Sequence, residues 1–391
     1  MKAIRNYIDK IKPNFEKGGK HEKWLSMFES FETFLYVLGD RTPKKGAHIR
    51  DAMDLKRLMI IVVVALVPAL LFGMWNVGYH HFASLGETVT FWQQFGHGLI
   101  KVLPLVVVSY AVGLGTEFVF VYIKGHEIEE GFLVSGMLIP LIVPVDVPLW
   151  MLAVANIFAV VIGKEVFGGT GMNIVNPALL SRAFLFFAYP AQMSGDKVWV
   201  SGLAGGEGIV DGFSGATPMA QAASATENLD MLPTTWDMFI GIMPGSVGET
   251  SVLAILIGAF ILLYTGVASW KVMLSVLLGG ISMGLIFNAF GSDSNLYLSV
   301  PWYQHLMMGG FAFGMVFMAT DPVTAAQTER GKWIYGFLIG FIAILVRVLN
   351  PAYPEGMMLA ILLMNVFAPL IDYYVVKGNI KKRLKRAKVQ A

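Results

Sequence analysis

Ser214-Gly215-Ala216-Thr217, led in by Asp211-Gly212-Phe213, lies in the longest polar stretch of an otherwise largely apolar chain. A hydroxyl that is to take a phosphate-linked group by esterification needs small neighbours and an exposed, mobile backbone, so that a modifying enzyme can thread the segment into its own site. Ser214, Gly215 and Ala216 meet the steric part of that demand. Four residues alone read equally well as an ordinary Gly/Ser turn, because short matches recur by chance. The remaining chemistry-bearing residues narrow the choice. There is no cysteine, which excludes disulfides, thiolate-held iron–sulfur clusters, CxxCH haem attachment and a cysteine nucleophile. The seven histidines, His21, His48, His80, His81, His97, His126 and His305, fall in expected loops or at helix ends, so a haem between paired histidines is not expected. No glycine fingerprint stands in a strand–helix context, so no dinucleotide site is expected either. No residue is assigned as a catalytic acid, base or nucleophile, and no metal site is assigned.

The elements that must position Thr217 are membrane helices. The 391 residues are 55% hydrophobic and 14% charged, and the run from Leu58 to Trp75 carries no ionisable side chain. A hydrocarbon core of ~30 Å needs roughly 20 helical residues. Apolar runs read against turn and charge signals give spans near 58–76, 99–123, 131–144, 148–163, 168–190, 251–266, 272–290, 305–319, 333–348 and 356–376. The expected fold is an all-α polytopic membrane protein of about ten helices. Residues 1–57 form an N-terminal cytoplasmic segment, 58–190 a first transmembrane half, 191–250 an outer loop, 251–376 a second half and 377–391 a basic tail.

Charge bias gives the sidedness. Of 29 Lys and Arg, 13 lie in residues 1–57 and seven in 377–391. By the positive-inside rule both termini are cytoplasmic, which requires an even span count. The loop 191–250 holds one cation, Lys197, against Asp196, Glu207, Asp211, Glu227, Asp230, Asp237 and Glu249, so Thr217 is expected on the outer, periplasmic face.

Two spans look broken. Gly168-Gly169-Thr170-Gly171 precedes Asn173 and Asn176-Pro177 in the fifth, and Phe311 to Phe317 precedes Asp321-Pro322 in the eighth. Non-helical backbone at membrane depth must line a cavity or be buried in protein. Two five-helix halves with such breaks suggest an inverted repeat with its binding groups near the midplane. Ionisable residues in or near spans are functional candidates by default, because a charge in hydrocarbon is costly. Glu117 and Asp372 are the candidates for cation uptake, a hard cation preferring oxygen ligands. Arg182 and Arg347 read equally as structural ion-pair partners, and Asp321 as the cap of a half-helix. Trp24, Phe28, Phe31, Leu35 and Leu38 recur at helical spacing and suit packing on the cytoplasmic face or a partner, or a helix on the membrane surface. The tail Lys381-Lys382-Arg383-Leu384-Lys385-Arg386 suits anionic headgroups, and nothing points to nucleic acid.

Several motifs together carry a family resemblance. They are Lys17-Gly18-Gly19-Lys20-His21-Glu22-Lys23-Trp24, Asp54-Leu55-Lys56-Arg57, Lys164 to Gly171, Arg182 to Pro190, Ser214 to Thr217 and Asn350-Pro351-Ala352-Tyr353-Pro354-Glu355-Gly356. The chain resembles, over essentially its whole length, the B-type membrane component of the sodium-pumping NADH:quinone oxidoreductases (Na⁺-NQR) and its nearest relative, the D-type membrane component of Rnf-type ferredoxin:NAD oxidoreductases. The long basic N-terminal segment is what separates the B-type component from the Rnf relative. The resemblance implies FMN esterified through its phosphate to Thr217 by a separate flavin transferase, within the Ser214–Thr217 motif. It also implies a non-covalent riboflavin at Asn173 and Asn176, whose amides both donate and accept. It places ubiquinone at the cytoplasmic surface near Trp24, Gly113, Ile128, Glu130, Gly131 and Phe132, residues that could equally serve packing. It further implies a six-subunit inner-membrane complex of bacteria in which electrons come from a partner's FMN to Thr217, then to riboflavin and ubiquinone, coupled to Na⁺ export. Within the class, the alternative is an Rnf-type electron-transport component, which would not reduce quinone. From another class, a small-solute channel or transporter fits the hydrophobicity and the broken helices, but has no need for Ser214 to Thr217.

Overall fold

The computed structural model describes residues 2–16, 18–21, 24, 25, 28, 32, 55–124, 131–206, 210, 213–225, 228–291, 295–350, 353 and 355–390. Its regular elements are helices: α1 (Lys2–Ile11), α2 (Leu55–Ser84), α3 (Phe91–Lys124), α4 (Phe132–Leu141), α5 (Leu149–Gly163), α6 (Pro177–Ala188), α7 (Pro218–Ser224), α8 (Thr235–Ile240), α9 (Val252–Tyr264), α10 (Trp270–Ala289), α11 (Trp302–Met307), α12 (Phe311–Phe313), α13 (Glu329–Leu349) and α14 (Met357–Gln390). Six helices are long and apolar enough to cross a membrane, and α4, α6 and α9 are shorter apolar helices. Each of the ten expected spans coincides with one of these helices, the eighth being made of α11, α12 and the π turn Gly314–Met318. The chain is therefore an all-α polytopic membrane protein.

Glycine lets α10 and α13 pack closely. Gly336 and Gly340 on α13 face α10, and a Cβ on Gly340 would run into the carbonyl of Val276. Small residues at four-residue spacing let two backbones approach where lipid gives no hydrophobic drive to associate.

Both expected breaks are present. Residues 164–176 carry the chain through Gly168, Gly169 and Gly171, all at positive φ, before α6 starts at Pro177. Asn176 caps α6, its Oδ1 accepting from the Ala178 and Leu179 amides at 2.9 and 3.3 Å. Its Nδ2 donates to Asp321 Oδ2 at 3.0 Å, so the two broken elements are tied to each other. At the eighth span, Arg347 donates to the carbonyls of His305 and Met308, at 2.5 and 3.1 Å, and so satisfies the C-terminal end of α11 inside the protein.

The third span departs from expectation. The sequence predicts a continuous helix over 131–144, but α4 stops at Leu141. The Leu141 carbonyl accepts from Gly248 N at 2.8 Å, so a loop from the far side of the sequence replaces the missing helical bond.

Candidate functional site

Thr217 is the N-cap of α7: its Oγ1 accepts from Ala220 N at 3.3 Å, and Pro218 occupies the first helical position. The expectation of an exposed, mobile hydroxyl is not met, for Thr217 is 8% exposed and Ala216 7%. Ser214 Oγ accepts from Ala216 N at 3.2 Å, and Gly215 is seated where a Cβ would clash with the Asp196 carbonyl. The segment before the motif is held down by side chains of α3 and of the α4–α5 connection. His97 Nε2 lies 3.2 Å from Ser201 Oγ, and Gly202 N donates to Asp146 at 2.6 Å. Asp211 and Gly212 lie outside the described residues.

Thr217 opens onto a cavity of about 60 Å³ whose wall includes Arg182, Ser246, Glu249, Thr250, Gly309 and Glu355. Exposed Ser194 and Gly195 form part of its rim. Arg182, buried on α6, donates to Glu249 at 2.6 Å and pairs through its other terminal nitrogen with Glu355. Glu249 is held in place because Ser251, two residues on, caps α9 through Ala254 N. Its Oε1 lies 2.7 Å from where a Cβ on Gly310 would stand, so a glycine between α11 and α12 leaves room for the carboxylate. Burial, with Glu355 beside it, pushes the Tyr353 phenol above its usual range, so it stays protonated at this wall. The site unites three sequence segments. In the sequence Arg182 reads as an ion-pair partner, Glu355 stands only within a motif, and Glu249 is only one of seven outer carboxylates. The signal that singles out Glu249 is an acid in the Gly/Ser-rich run 245–251 immediately before an apolar helix.

A second cavity, of about 80 Å³, lies between the two broken spans. Gly131, Lys164, Thr170, Asn173, Asn176 and Asp321 supply its polar wall, and Leu58, Leu138 and Phe317 are among its apolar residues. It joins residues to which the resemblance assigns different ligands, Gly131 to quinone and the two asparagines to riboflavin. Asn176 also serves as a helix cap, while Asn173 donates locally to the Val175 carbonyl at 3.1 Å. Amide, hydroxyl, ammonium and carboxylate groups suit the edge of a heteroaromatic ring. The volume is far below the ~300 Å³ at which small-molecule sites begin, so a three-ring ligand enters only if the walls part.

The other candidates are placed plainly by the structure. Gly113 and Phe132 touch, the ring filling the space a Cβ would occupy, and Phe132 is 1% exposed. Trp24 is half exposed, its ring 6.0 Å from that of Tyr122 on α3. Ile128 and Glu130 lie outside the described residues, as do Phe31, Leu35 and Leu38. Asp372 accepts from Gln327 N, Thr328 N and Thr328 Oγ1 at 2.7, 3.0 and 2.5 Å, which anchors the start of α13. Glu117 pairs with Lys164, both almost fully buried. In the sequence Lys164 reads only as a positive-inside cation, because nothing in its spacing reveals a partner 47 residues away. Taking the cation away from a buried carboxylate costs roughly 3–5 kcal/mol, whereas removing both charges is often neutral. Lys164→Ala is therefore expected to lower the melting temperature of the detergent-solubilised chain markedly, and Lys164→Met with Glu117→Gln to recover most of the loss.

Residues 42–381 match the model of the NQR2, RnfD, RnfE family. The chain is 51% identical to a protein of Ectopseudomonas mendocina named as the B component of a Na(+)-translocating NADH-quinone reductase, over 98% of this chain and 99% of the relative. Proteins of the same name from Chromohalobacter salexigens and Azotobacter vinelandii are 49% and 48% identical, again over 98% of this chain, and over 97% and 99% of their own lengths.

Proposed function

The chain belongs to the NQR2, RnfD, RnfE family, and on that premise we propose that it is the membrane electron-transfer component of a Na⁺-pumping NADH:ubiquinone reductase, carrying FMN as a phosphoester on Thr217. The B-type relatives match along the basic N-terminal segment as well as the spans, which favours this reading over the Rnf-type one. The observation that carries it is the placement of Thr217 on the wall of a cavity that also holds a fully buried guanidinium. About 60 Å³ is room for a phosphate-sized group but not for a three-ring system, so the tethered ring extends beyond this cavity, past the rim at Ser194 and Gly195. A bound flavin supplies the redox chemistry; the residues of this chain hold and orient it.

The buried position of Thr217 adds an order of events. A transferase cannot grip a buried hydroxyl two residues from a Gly215 that is packed under Asp196 and Leu203, so esterification takes place before the segment 213–219 seats, and seating then fixes the group in place. Riboflavin at Asn173 and Asn176 fits the second cavity by donor chemistry and requires it to open. Ubiquinone at the N-terminal face and Na⁺ as the exported ion complete the reading, with partner subunits supplying the NADH site and Thr217 on the periplasmic side of a bacterial inner membrane.

The test uses the chain produced with its flavin transferase and partner subunits. On a denaturing gel the chain is expected to fluoresce as a flavoprotein, and the assembled complex to reduce quinone faster when Na⁺ is added. A non-fluorescent chain would remove the covalent flavin from the proposal, and a rate indifferent to Na⁺ at every concentration would remove the coupling.

A further inference from the structure

We propose that Arg182 is the residue of this chain that holds the phosphodiester of the FMN on Thr217, and that the Glu355 carboxylate occupies the guanidinium only until that phosphodiester arrives. The proposal rests on the reading of Thr217 given above and names the side chains that act on the linkage itself. Its basis is the make-up of one small cavity. Among the described residues, Arg182 is the only Lys or Arg on the wall that Thr217 shares with Glu249 and Glu355. A guanidinium presents a planar fork of donors that matches carboxylate and phosphate oxygens alike, so the same nitrogen can serve either anion. A phosphate esterified to Thr217 on one side and to the ribityl chain on the other keeps a single negative charge, as a carboxylate does. One anion can therefore replace the other on Arg182 without changing the charge of that pairing.

The surroundings of the two acids distinguish the one that stays from the one that leaves. Arg182 Nη1 donates to Glu249 at 2.6 Å, and Nη2 pairs with Glu355. The Glu249 side chain is 3% exposed, lies against Gly310 and stands two residues before the cap of α9. Glu355 is 14% exposed, the most of the three, and belongs to the connection that ends where α14 begins at Met357. Moving Glu249 disturbs the start of a helix, whereas moving Glu355 needs only the rotation of a side chain that already reaches solvent. Arg347 faces both acids, so the displaced Glu355 carboxylate keeps a cation nearby. Burial, with Glu355 beside it, holds the Glu249 carboxyl up at about 7, so a proton taken there offsets the added anion.

The experiment uses the full chain made with and without the flavin transferase, and reads gel fluorescence and the melting temperature in detergent on each preparation. Without the transferase, Glu355→Gln is expected to melt about 2–4 °C below wild type, because Arg182 has lost a charged partner. With the transferase, the variant is expected to fluoresce as wild type does and to melt with it, since the phosphodiester then occupies Arg182. Combined with Thr217→Asn, Glu355→Gln is expected to keep its full loss in the presence of the transferase, which ties the rescue to the ester. Lys164→Ala breaks a buried pair outside this cavity and is expected to cost the same in both forms. The proposal is overturned if the Glu355→Gln loss, or a failure to fold, persists undiminished in the flavinylated chain, or if no loss appears in either form. It is also overturned if the Glu355→Gln loss vanishes together with that of Lys164→Ala, or if the Glu355→Gln chain stays dark. A wild-type chain that stays dark when made with the transferase overturns instead the reading of Thr217 on which the proposal rests, so the two failures are distinct.

Discussion

Thr217→Asn is expected to leave the chain folded and its α7 cap intact while abolishing covalent flavin and quinone reduction together. The substitution separates two roles that one oxygen combines. As an N-cap, Thr217 Oγ1 satisfies the Ala220 amide, and replacement of a capping residue by Ala costs about 1 kcal/mol. Thr217→Ala therefore confounds loss of the cap with loss of the esterifiable hydroxyl. Asparagine is among the strongest capping residues yet has no hydroxyl to esterify. Serine keeps both functions, so Thr217→Ser is expected to cap α7 and retain some fluorescence. Thermal melting in detergent, fluorescence on a denaturing gel and Na⁺-stimulated quinone reduction then sort the variants. If Thr217 is a cap and nothing more, Asn behaves as wild type in all three measurements and Ala is weakened only in the first. If it is the tether, Asn and Ala are both dark and inactive, and only Ala loses stability.

The sequence is informative wherever a signal is local. Long apolar runs locate the six helices long enough to cross a membrane and the three shorter apolar ones, and Gly168-Gly169-Thr170-Gly171 with Asn176-Pro177 marks a break that the structure contains. The Gly248 amide that meets the Leu141 carbonyl at the end of α4 is not legible, since it lies more than a hundred residues away. The same holds for charge. Arg182 is visible as an ionisable residue at membrane depth, but its partners lie 67 and 173 positions further on, and no periodicity connects them. Asp372 is legible as a carboxylate in an apolar helix, and the sequence cannot say that three donors from residues 327 and 328 occupy its oxygens. For Thr217 the residue types point to an attachment site. The structure instead buries that hydroxyl, because Gly215 in the same motif seats against the Asp196 carbonyl and Leu203, contacts that the four residues alone do not reveal.

Arg182→Ala is expected to have the largest effect on stability. The substitution leaves Glu249 and Glu355 facing one cavity with no guanidinium between them. Breaking a buried pair by removing one partner costs roughly 3–5 kcal/mol, a large part of the ~5–15 kcal/mol that separates most folded proteins from unfolding. Burial and the neighbouring Glu355 hold the Glu249 carboxyl above the usual carboxylate range, and taking away the Arg182 guanidinium that opposes them raises it further above its unfolded value. A raised carboxylate contributes stability that is present below the unfolded pKa and is lost as pH rises through the folded value. The deficit relative to wild type is therefore expected to be greater at about pH 8 than at about pH 6, as read by melting temperature in detergent. Arg182→Lys is expected to fall between Ala and wild type, since one ammonium lacks the planar fork that reaches two carboxylates at once. Arg182→Met combined with Glu249→Gln and Glu355→Gln removes every charge from the cluster. It is expected to recover most of the stability and to lose the pH dependence. A triple variant as unstable as Arg182→Ala would mean that the guanidinium acts through packing and not through its charge.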